Sequence, residues 1–262
     1  MELARAVLER FRQVNGALLA GFVAFRLFLF LVPLIFLVVG VLGLAGSLDV
    51  SVDDATSGAP LLGYVSEALR TAAADAEVGF STFLLVGLSV LIPLLGLTGA
   101  VYLIYAQAWG LPLRPSGGRP RRLGAVLAGF SLLLAGAMFA AAVSTSIPGT
   151  AAAMASVTVV NGLVYVAIAA FMPRRSSRIR ELLPGAIVTA VGMLALSGAN
   201  NLILRSFIAS RTATMGLLGA VTVIMLILLV MAVIITLGAV TNAVWWARST
   251  GQELPPPVLS IR

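Results

Sequence analysis

The chain has 262 residues, of which 60% are hydrophobic and only 10% are charged, and its mean hydropathy is +1.07. Soluble domains are about 45 to 50% apolar and about 25% charged, so this composition is typical of a membrane protein. The sequence contains no Cys and no His. This excludes thiolate nucleophiles, imidazole proton shuttles and the usual zinc and haem ligand sets, and we therefore expect no cofactor and no metal site.

Six apolar segments run along the chain, each close to the ~20 residues that a helix needs to cross a bilayer. They lie at residues 17–46, 79–109, 123–147, 154–172, 183–204 and 216–246. The sequence therefore predicts an all-α, polytopic membrane protein with six transmembrane helices. These helices would form one domain over residues 1–250, followed by a short cytoplasmic tail at 251–262.

The distribution of charge predicts the orientation. With the N-terminus in the cytoplasm, 13 of the 17 Arg residues fall in cytoplasmic segments, three fall outside and one, Arg26, lies within the first apolar segment. Because positive residues stay on the cytoplasmic side, both termini are predicted to be cytoplasmic. The net charge of +7 then reflects topology and contact with anionic lipid headgroups, so nucleic acid is not expected as a partner.

Two amphipathic helices are predicted outside the spans. Near residues 2–15, apolar residues recur at helical spacing, which suits a helix on the cytoplasmic leaflet: Leu3, Val7, Phe11, Val14 and Leu18. The extracytoplasmic loop at 47–78 carries the second, near 60–76, which begins at Pro60.

Arg26 is the one ionisable residue within the six segments, which contain no Asp, Glu, His or Lys. Proton coupling through a buried carboxylate therefore has no candidate. Two interpretations of Arg26 stay open. Its side chain either snorkels to the cytoplasmic headgroups, or faces a polar cavity and binds an anion such as a lipid phosphate.

The remaining candidates for ligand or lipid binding are amides within the spans and one Arg beyond the fifth span: Gln107, Asn161, Asn200, Asn201, Asn242 and Arg205. An amide in lipid must find a hydrogen-bond partner, so each of these amides either links two helices by a hydrogen bond or contacts a ligand. Asn200 and Asn201, one turn before Arg205, best suit an outward-facing polar pocket. Pro33 and Pro93 lie inside the first and second segments and are predicted to kink these helices.

Four segments, taken in order, carry a family resemblance: AGFVAFRLFLFLVPLIFLVVGVLG in the first span, LLPGAIVTA opening the fifth, MGLLGAVTVIMLILL opening the sixth and GAVTNAV closing it. The chain resembles the YihY/BrkB family of bacterial inner-membrane proteins, once labelled ribonuclease BN. The resemblance implies a place in the bacterial plasma membrane and a role in transport or envelope lipid movement. Two acids common in the family are absent, since Val240 and Leu194 stand near their positions.

We therefore expect no enzymatic activity, and a protein that binds or transports an amphipathic anion, of which an envelope lipid fits best. A ribonuclease would need clustered acids for its metal ions, whereas the cytoplasmic acids are scattered: Glu2, Glu9, Glu181 and Glu253. The alternative is a non-transporting scaffold that recruits an envelope protein partner through the outer loop at 47–78. The expected partners are membrane lipids with anionic headgroups.

Overall fold

The structure, a computed structural model, describes residues 2–44, 80–113, 151–176, 178–199 and 217–258. All regular elements in these residues are helical. They are α1 (Glu2–Gln13), α2 (Gly16–Leu44), α3 (Phe80–Ala108), α4 (Ala151–Phe171), α5 (Leu183–Ala199) and α6 (Leu217–Thr250), with a 3-10 turn at Ile179–Leu182 that leads into α5. The all-helical prediction is confirmed for this part of the chain.

Helices α2 to α6 lie on five of the six apolar segments, because runs of aliphatic residues can satisfy their backbone hydrogen bonds in lipid only as helices. Three helical stretches are long and apolar enough to cross a membrane: Leu88–Ala108, Ile179–Leu196 and Val221–Thr250. A fourth is reached if α1 and the start of α2, bent by 69°, count as one broken span. The described part is thus that of a helical membrane protein, while six spans and cytoplasmic termini stay predictions.

Two predicted elements lie outside the described residues. These are the third apolar segment, at 123–147, and the second amphipathic helix, near 60–76. Pro33 and Pro93 do lie inside helices, α2 and α3, and each helix continues past its proline.

The first amphipathic helix is present as α1, and its apolar side packs against the bundle. Leu3, Val7 and Phe11 contact the buried core, while Arg5 and Glu9 are exposed. The chain then turns sharply into α2 at Asn15, whose φ of 54° lies in the left-handed region that Asn tolerates better than most residues.

Helix α6 is the centre of the described bundle. It packs against α2, α3 and α5 along its length and against α1 near its end, while α3 also packs on α2, and α4 on α5. From Gly238 to Val244 every residue of α6 is buried, whereas Leu226, Leu229 and Val230 nearer its start are exposed. Exposed aliphatic residues on a membrane helix are suited to contact with lipid tails. The polar residues in this buried part of α6 therefore form the first candidate site.

Candidate functional site

Asn242 on α6 is fully buried and connects three helices. Its Oδ1 accepts a hydrogen bond from the backbone N–H of Gly185 on α5 (2.7 Å), and its Nδ2 donates to the hydroxyl of Tyr165 on α4 (3.0 Å). Because a backbone N–H can only donate, these two bonds fix which end of the amide is oxygen. Asn242 thus links α4, α5 and α6 by hydrogen bonds, which is the first of its two predicted roles.

Two glycines allow the helices to approach closely enough for these bonds. A Cβ atom added at Gly238 would lie within 3.0 Å of three atoms, the Gly185 carbonyl oxygen and the hydroxyls of Tyr165 and Thr189. A Cβ at Gly185 would in turn overlap the Gly238 backbone and the Asn242 amide. This glycine contact explains why LLPGAIVTA and GAVTNAV are rich in small residues, as close packing in membranes requires.

The polar contacts continue from Tyr165 to Tyr105 on α3. Both side chains are buried and their hydroxyls are neighbours, yet the Tyr105 hydroxyl makes no well-formed hydrogen bond within the described residues. Arg174, three residues after the end of α4, lies close enough to act electrostatically on Tyr105, and its Nη1 is buried with no hydrogen-bond partner among the described residues. Tyr105, Tyr165, Arg174 and Asn242 are hereafter called the polar cluster.

Gln107 lies two residues after Tyr105 on α3. Residues two apart on a helix project about 200° apart, so Gln107 leaves α3 on the side away from Tyr105. Its side chain is buried, and its carbonyl oxygen accepts hydrogen bonds from the Arg10 side chain (3.4 Å) and from the Gly110 backbone (3.2 Å). The structure thus places Gln107 beside the buried Arg10 at the end of α3.

Arg10 caps the carboxyl end of α3. Only 5% exposed, it donates to the carbonyl oxygens of Ala108 (3.2 and 3.3 Å) and Pro255 (2.9 Å), so it joins α1 and α3 to the C-terminal tail. A cation at a helix C-terminus satisfies carbonyls that have no helical partner and offsets the negative end of the helix dipole. Burial lowers the pKa of the Arg10 guanidinium, although an Arg stays charged at physiological pH.

Arg26 lies between α2 and α3. Its Cζ is 5.3 Å from the centre of the Phe22 ring, a cation–π distance, and its Nε is buried with no hydrogen-bond partner among the described residues. Gly96 of α3 faces it, since a Cβ at that position would come within 2.8 Å of Arg26 Nη1. The absence of a side chain at Gly96 therefore opens an interhelical notch that holds the guanidinium.

The notch is deep in the bundle. Arg26 follows the start of α2 by about 15 Å, and Gly96 precedes the end of α3 by about 18 Å, on the ~1.5 Å rise of a helix. Phe22, one turn nearer the start of α2, lies under the guanidinium, so the side chain leans toward the N-terminal end of its helix. The Arg26 side chain therefore leans toward one membrane interface and also lies in a pocket lined by protein.

The other predicted site residues add no hydrogen bond to Arg26 or the polar cluster among the described residues. Asn161 is half-buried on α4, one turn before Tyr165. Asn200, Asn201 and Arg205 lie outside the described residues. The predicted outward-facing pocket built on them stays a prediction.

Sequence reasoning missed Arg174, Tyr105, Tyr165 and Arg10. Arg10 and Arg174 were counted only as topogenic charges, because a run of Arg beside a span has the same pattern whether its members face water or protein. The tyrosines are hidden in apolar runs. A signal was present in the spacing of Tyr105 and Trp109, one helical turn apart at the end of a span, where buried aromatic residues need a polar partner.

Val240 and Leu194 occupy different surroundings. Val240 is fully buried in α6 and Leu194 is 40% exposed on α5. A carboxylate at position 240 would need a partner inside the bundle, whereas the apolar side chain of Val240 needs none.

A family model described as virulence factor BrkB matches residues 7–258, nearly the whole chain. No curated protein and no solved structure matches. The matched range includes α2 to α6 entire and all residues of the polar cluster. The chain therefore belongs to the BrkB (YihY/BrkB) family of membrane proteins.

Proposed function

We propose that this protein binds or transports an amphipathic anion, of which a lipid of the bacterial envelope fits best, through the notch between Arg26 and Gly96. It acts without enzymatic chemistry, in the bacterial plasma membrane. The observation that carries the proposal is Arg26 itself, a permanent cation far from either end of its helix with a buried Nε that has no acceptor among the described residues.

A cation at this depth is costly unless a counter-charge accompanies it, so intramembrane Arg residues usually mark a functional site. The six apolar segments supply no carboxylate, and the Phe22 ring offsets only part of the cost of burial. An anionic headgroup would provide both the missing charge and an acceptor for Nε–H. The planar fork of Arg is well matched to a phosphate.

The surroundings of the notch suit the tails of the same molecule. Large apolar side chains on both helices are exposed next to it: Phe22, Phe25, Leu29, Ile92 and Leu95. Such a surface matches acyl chains, while a small hydrophilic anion would gain nothing from it. This combination favours a lipid over an inorganic anion.

Gly96→Ala tests the proposal directly. The added methyl group would displace the guanidinium from the notch without changing any charge, because it would lie 2.8 Å from Nη1. Gly99→Ala is the matched control, since a Cβ at Gly99 of the same helix meets none of the described residues within 4 Å. Purified protein in vesicles of phosphatidylglycerol and phosphatidylcholine, with a trace of labelled phosphatidylglycerol, would report retention and movement of anionic lipid.

We expect Gly96→Ala to retain and move labelled phosphatidylglycerol several-fold less than the parent, and Gly99→Ala to match the parent. Equal behaviour of the two variants would remove the notch from the mechanism. A parent protein that neither retains nor moves anionic lipid would overturn the proposal and favour the scaffold hypothesis.

A further inference from the structure

Two buried hydrogen-bond donors of the polar cluster, the Tyr105 hydroxyl and Arg174 Nη1, have no acceptor in the part of the chain that the structure describes. We propose that the polar cluster is a second binding site, for an oxyanion of the phosphate type, formed by the Tyr105 hydroxyl of α3 and the Arg174 guanidinium of the α4–α5 linker. The inference rests on the proposed function only for the class of ligand, an anion, and uses none of the residues of the Arg26 notch.

The direction of the hydrogen bonds can be followed from one end. Gly185 N–H must donate to Asn242 Oδ1, so Asn242 Nδ2 must donate to the Tyr165 oxygen. The proton of Tyr165 is then free for the neighbouring Tyr105 oxygen. Tyr105, in turn, has a proton to donate and no described acceptor for it.

Arg174 lies at this open end. Its Nη1 is also buried without an acceptor, and it stands within electrostatic range of the Tyr105 hydroxyl. The nearest acid in the sequence, Glu181, is hydrogen-bonded by Ser176 and forms no ion pair with Arg174 in the described structure. Among the described residues, a buried phenol and the buried Nη1 of a half-buried guanidinium thus each have a donor without an acceptor, and the guanidinium acts electrostatically on the phenol.

The chemistry of these donors selects the ligand. A guanidinium repels a cation and can only donate hydrogen bonds, so a metal ion does not fit. Buried donors without partners are rare and destabilising in proteins, and an oxyanion would satisfy both and neutralise the charge. A lipid headgroup and free inorganic phosphate share this chemistry.

The linker carries several positive charges beside Arg174. Arg174 is half-buried, and the Arg residues that follow it, Arg175, Arg178 and Arg180, are exposed. They surround Arg174 in sequence with positive charge, which attracts anions from the membrane surface. The ligand would therefore reach Tyr105 from the end of the bundle and not from its lipid-facing middle.

Tyr105→Phe is the informative variant because it removes the hydroxyl and keeps the buried ring. If the hydroxyl has no partner in the ligand-free protein, the variant should fold with a melting temperature equal to or above that of the parent in lipid-free detergent. A clearly lower melting temperature there would mean that protein groups already satisfy the hydroxyl, and would overturn the proposal.

Binding is measured on the full chain in detergent with short-chain phosphatidic acid, phosphatidylcholine and inorganic phosphate as separate probes, from the rise in melting temperature with concentration. We expect Arg174→Gln to weaken phosphatidic acid binding about tenfold or more and Tyr105→Phe about fivefold, as for loss of charged and neutral hydrogen bonds. The matched controls are Arg175→Gln, at an exposed neighbour, and Tyr102→Phe, on the same helix. Both should stay within about twofold of the parent.

The probes separate the two sources of phosphate. Binding of inorganic phosphate that is lost in both variants indicates a free-anion site, whereas binding of phosphatidic acid alone indicates a headgroup site. Either result supports the proposal. If Arg174→Gln and Tyr105→Phe bind every probe like their controls, or if no anionic probe binds, the proposal is wrong.

The variant Gly96→Ala separates a failure of this proposal from a failure of the proposed function. Loss of lipid movement in Gly96→Ala with unchanged sensitivity to Arg174→Gln would support both sites. Absence of lipid movement in the parent, with binding that still depends on Tyr105 and Arg174, would leave this site in place and remove the transport proposal.

Discussion

Asn242 on α6 caps the start of α5 by accepting the backbone N–H of Gly185 across 2.7 Å. The first N–H groups of a helix have no partner within it, and the usual solution is a side chain just before the helix. Here the residue before the preceding 3-10 turn, Arg178, makes no side-chain capping bond. The side chain of Asn242, 57 positions away in sequence, therefore caps α5 and couples its start to the end of α6.

Asn242→Leu should destabilise the protein by about 2 to 3 kcal/mol, since two buried interhelical hydrogen bonds at about 1 kcal/mol each are lost and a backbone N–H is left unpaired. Unfolding in a detergent titration measures this loss. Asn161→Leu is the control, because Asn161 is half-buried and forms no such bond among the described residues. Equal losses in the two variants would contradict the capping role.

Gly238→Ala should cost more than a typical small-to-large change, because the methyl group would overlap the buried Thr189 hydroxyl and crowd the Gly185 carbonyl oxygen at 3.0 Å, which is backbone and cannot rotate away. We expect poor assembly or a loss of about 3 kcal/mol. Gly21→Ala is the matched control, since a Cβ there has no neighbour within 4 Å in the described part of the chain and should be neutral or slightly stabilising. A stable Gly238→Ala protein would mean that α5 and α6 are further apart than described.

The sequence predicts the positions of helices well and the pairing of polar groups poorly. Hydropathy locates α2 and α6 because the bilayer imposes one length and one polarity on every span. Nothing local distinguishes Arg10, which is buried under the end of α3, from Arg12, which is exposed, since both lie near the predicted cytoplasmic end of a span. Partners distant in sequence, such as Gly185 and Asn242, emerge only from the packed structure.

Arg10→Lys should loosen the junction of α1, α3 and the C-terminal tail. A Lys has one ammonium in place of a planar fork and cannot reach the Ala108 and Pro255 carbonyls together as Arg10 does. We expect a loss of about 1 to 2 kcal/mol and faster proteolysis near residues 251–258. Arg12→Lys, at an exposed position, should leave both unchanged. Unchanged proteolysis in Arg10→Lys would show that the tail is held by other contacts.

Arg26→Lys separates the two interpretations of Arg26. A Lys that merely reaches toward headgroups would replace Arg with little effect, because the charge and the flexible stem are kept. A phosphate held by the guanidinium fork in the notch beside Gly96 would bind less well to the single ammonium. We expect retention of phosphatidylglycerol to fall several-fold while the melting temperature stays near that of the parent. Retention equal to the parent would assign Arg26 to anchoring.

The orientation of the chain can be tested with single Cys residues, because the sequence contains no native Cys. Ser176 is an obvious choice from the sequence, but the structure buries it at 6% exposure with its hydroxyl bonded to Glu181, so a thiol there would react slowly on either side. Ser249, exposed near the end of α6, is the better probe of the same side. Ser57 and Ser116 lie outside the described residues and probe the predicted outer loop and a predicted cytoplasmic linker.

With an impermeant thiol reagent on intact cells, we expect Ser57→Cys to label, and Ser116→Cys and Ser249→Cys to label only after the cells are opened. This outcome follows from the excess of Arg on the predicted cytoplasmic side. Labelling of Ser249→Cys in intact cells would mean that the end of α6 lies on the outer side of the membrane. A ligand would then reach Arg174 from that side. The donors of the polar cluster would keep their geometry, but the anion they bind would then come from the outer face of the membrane.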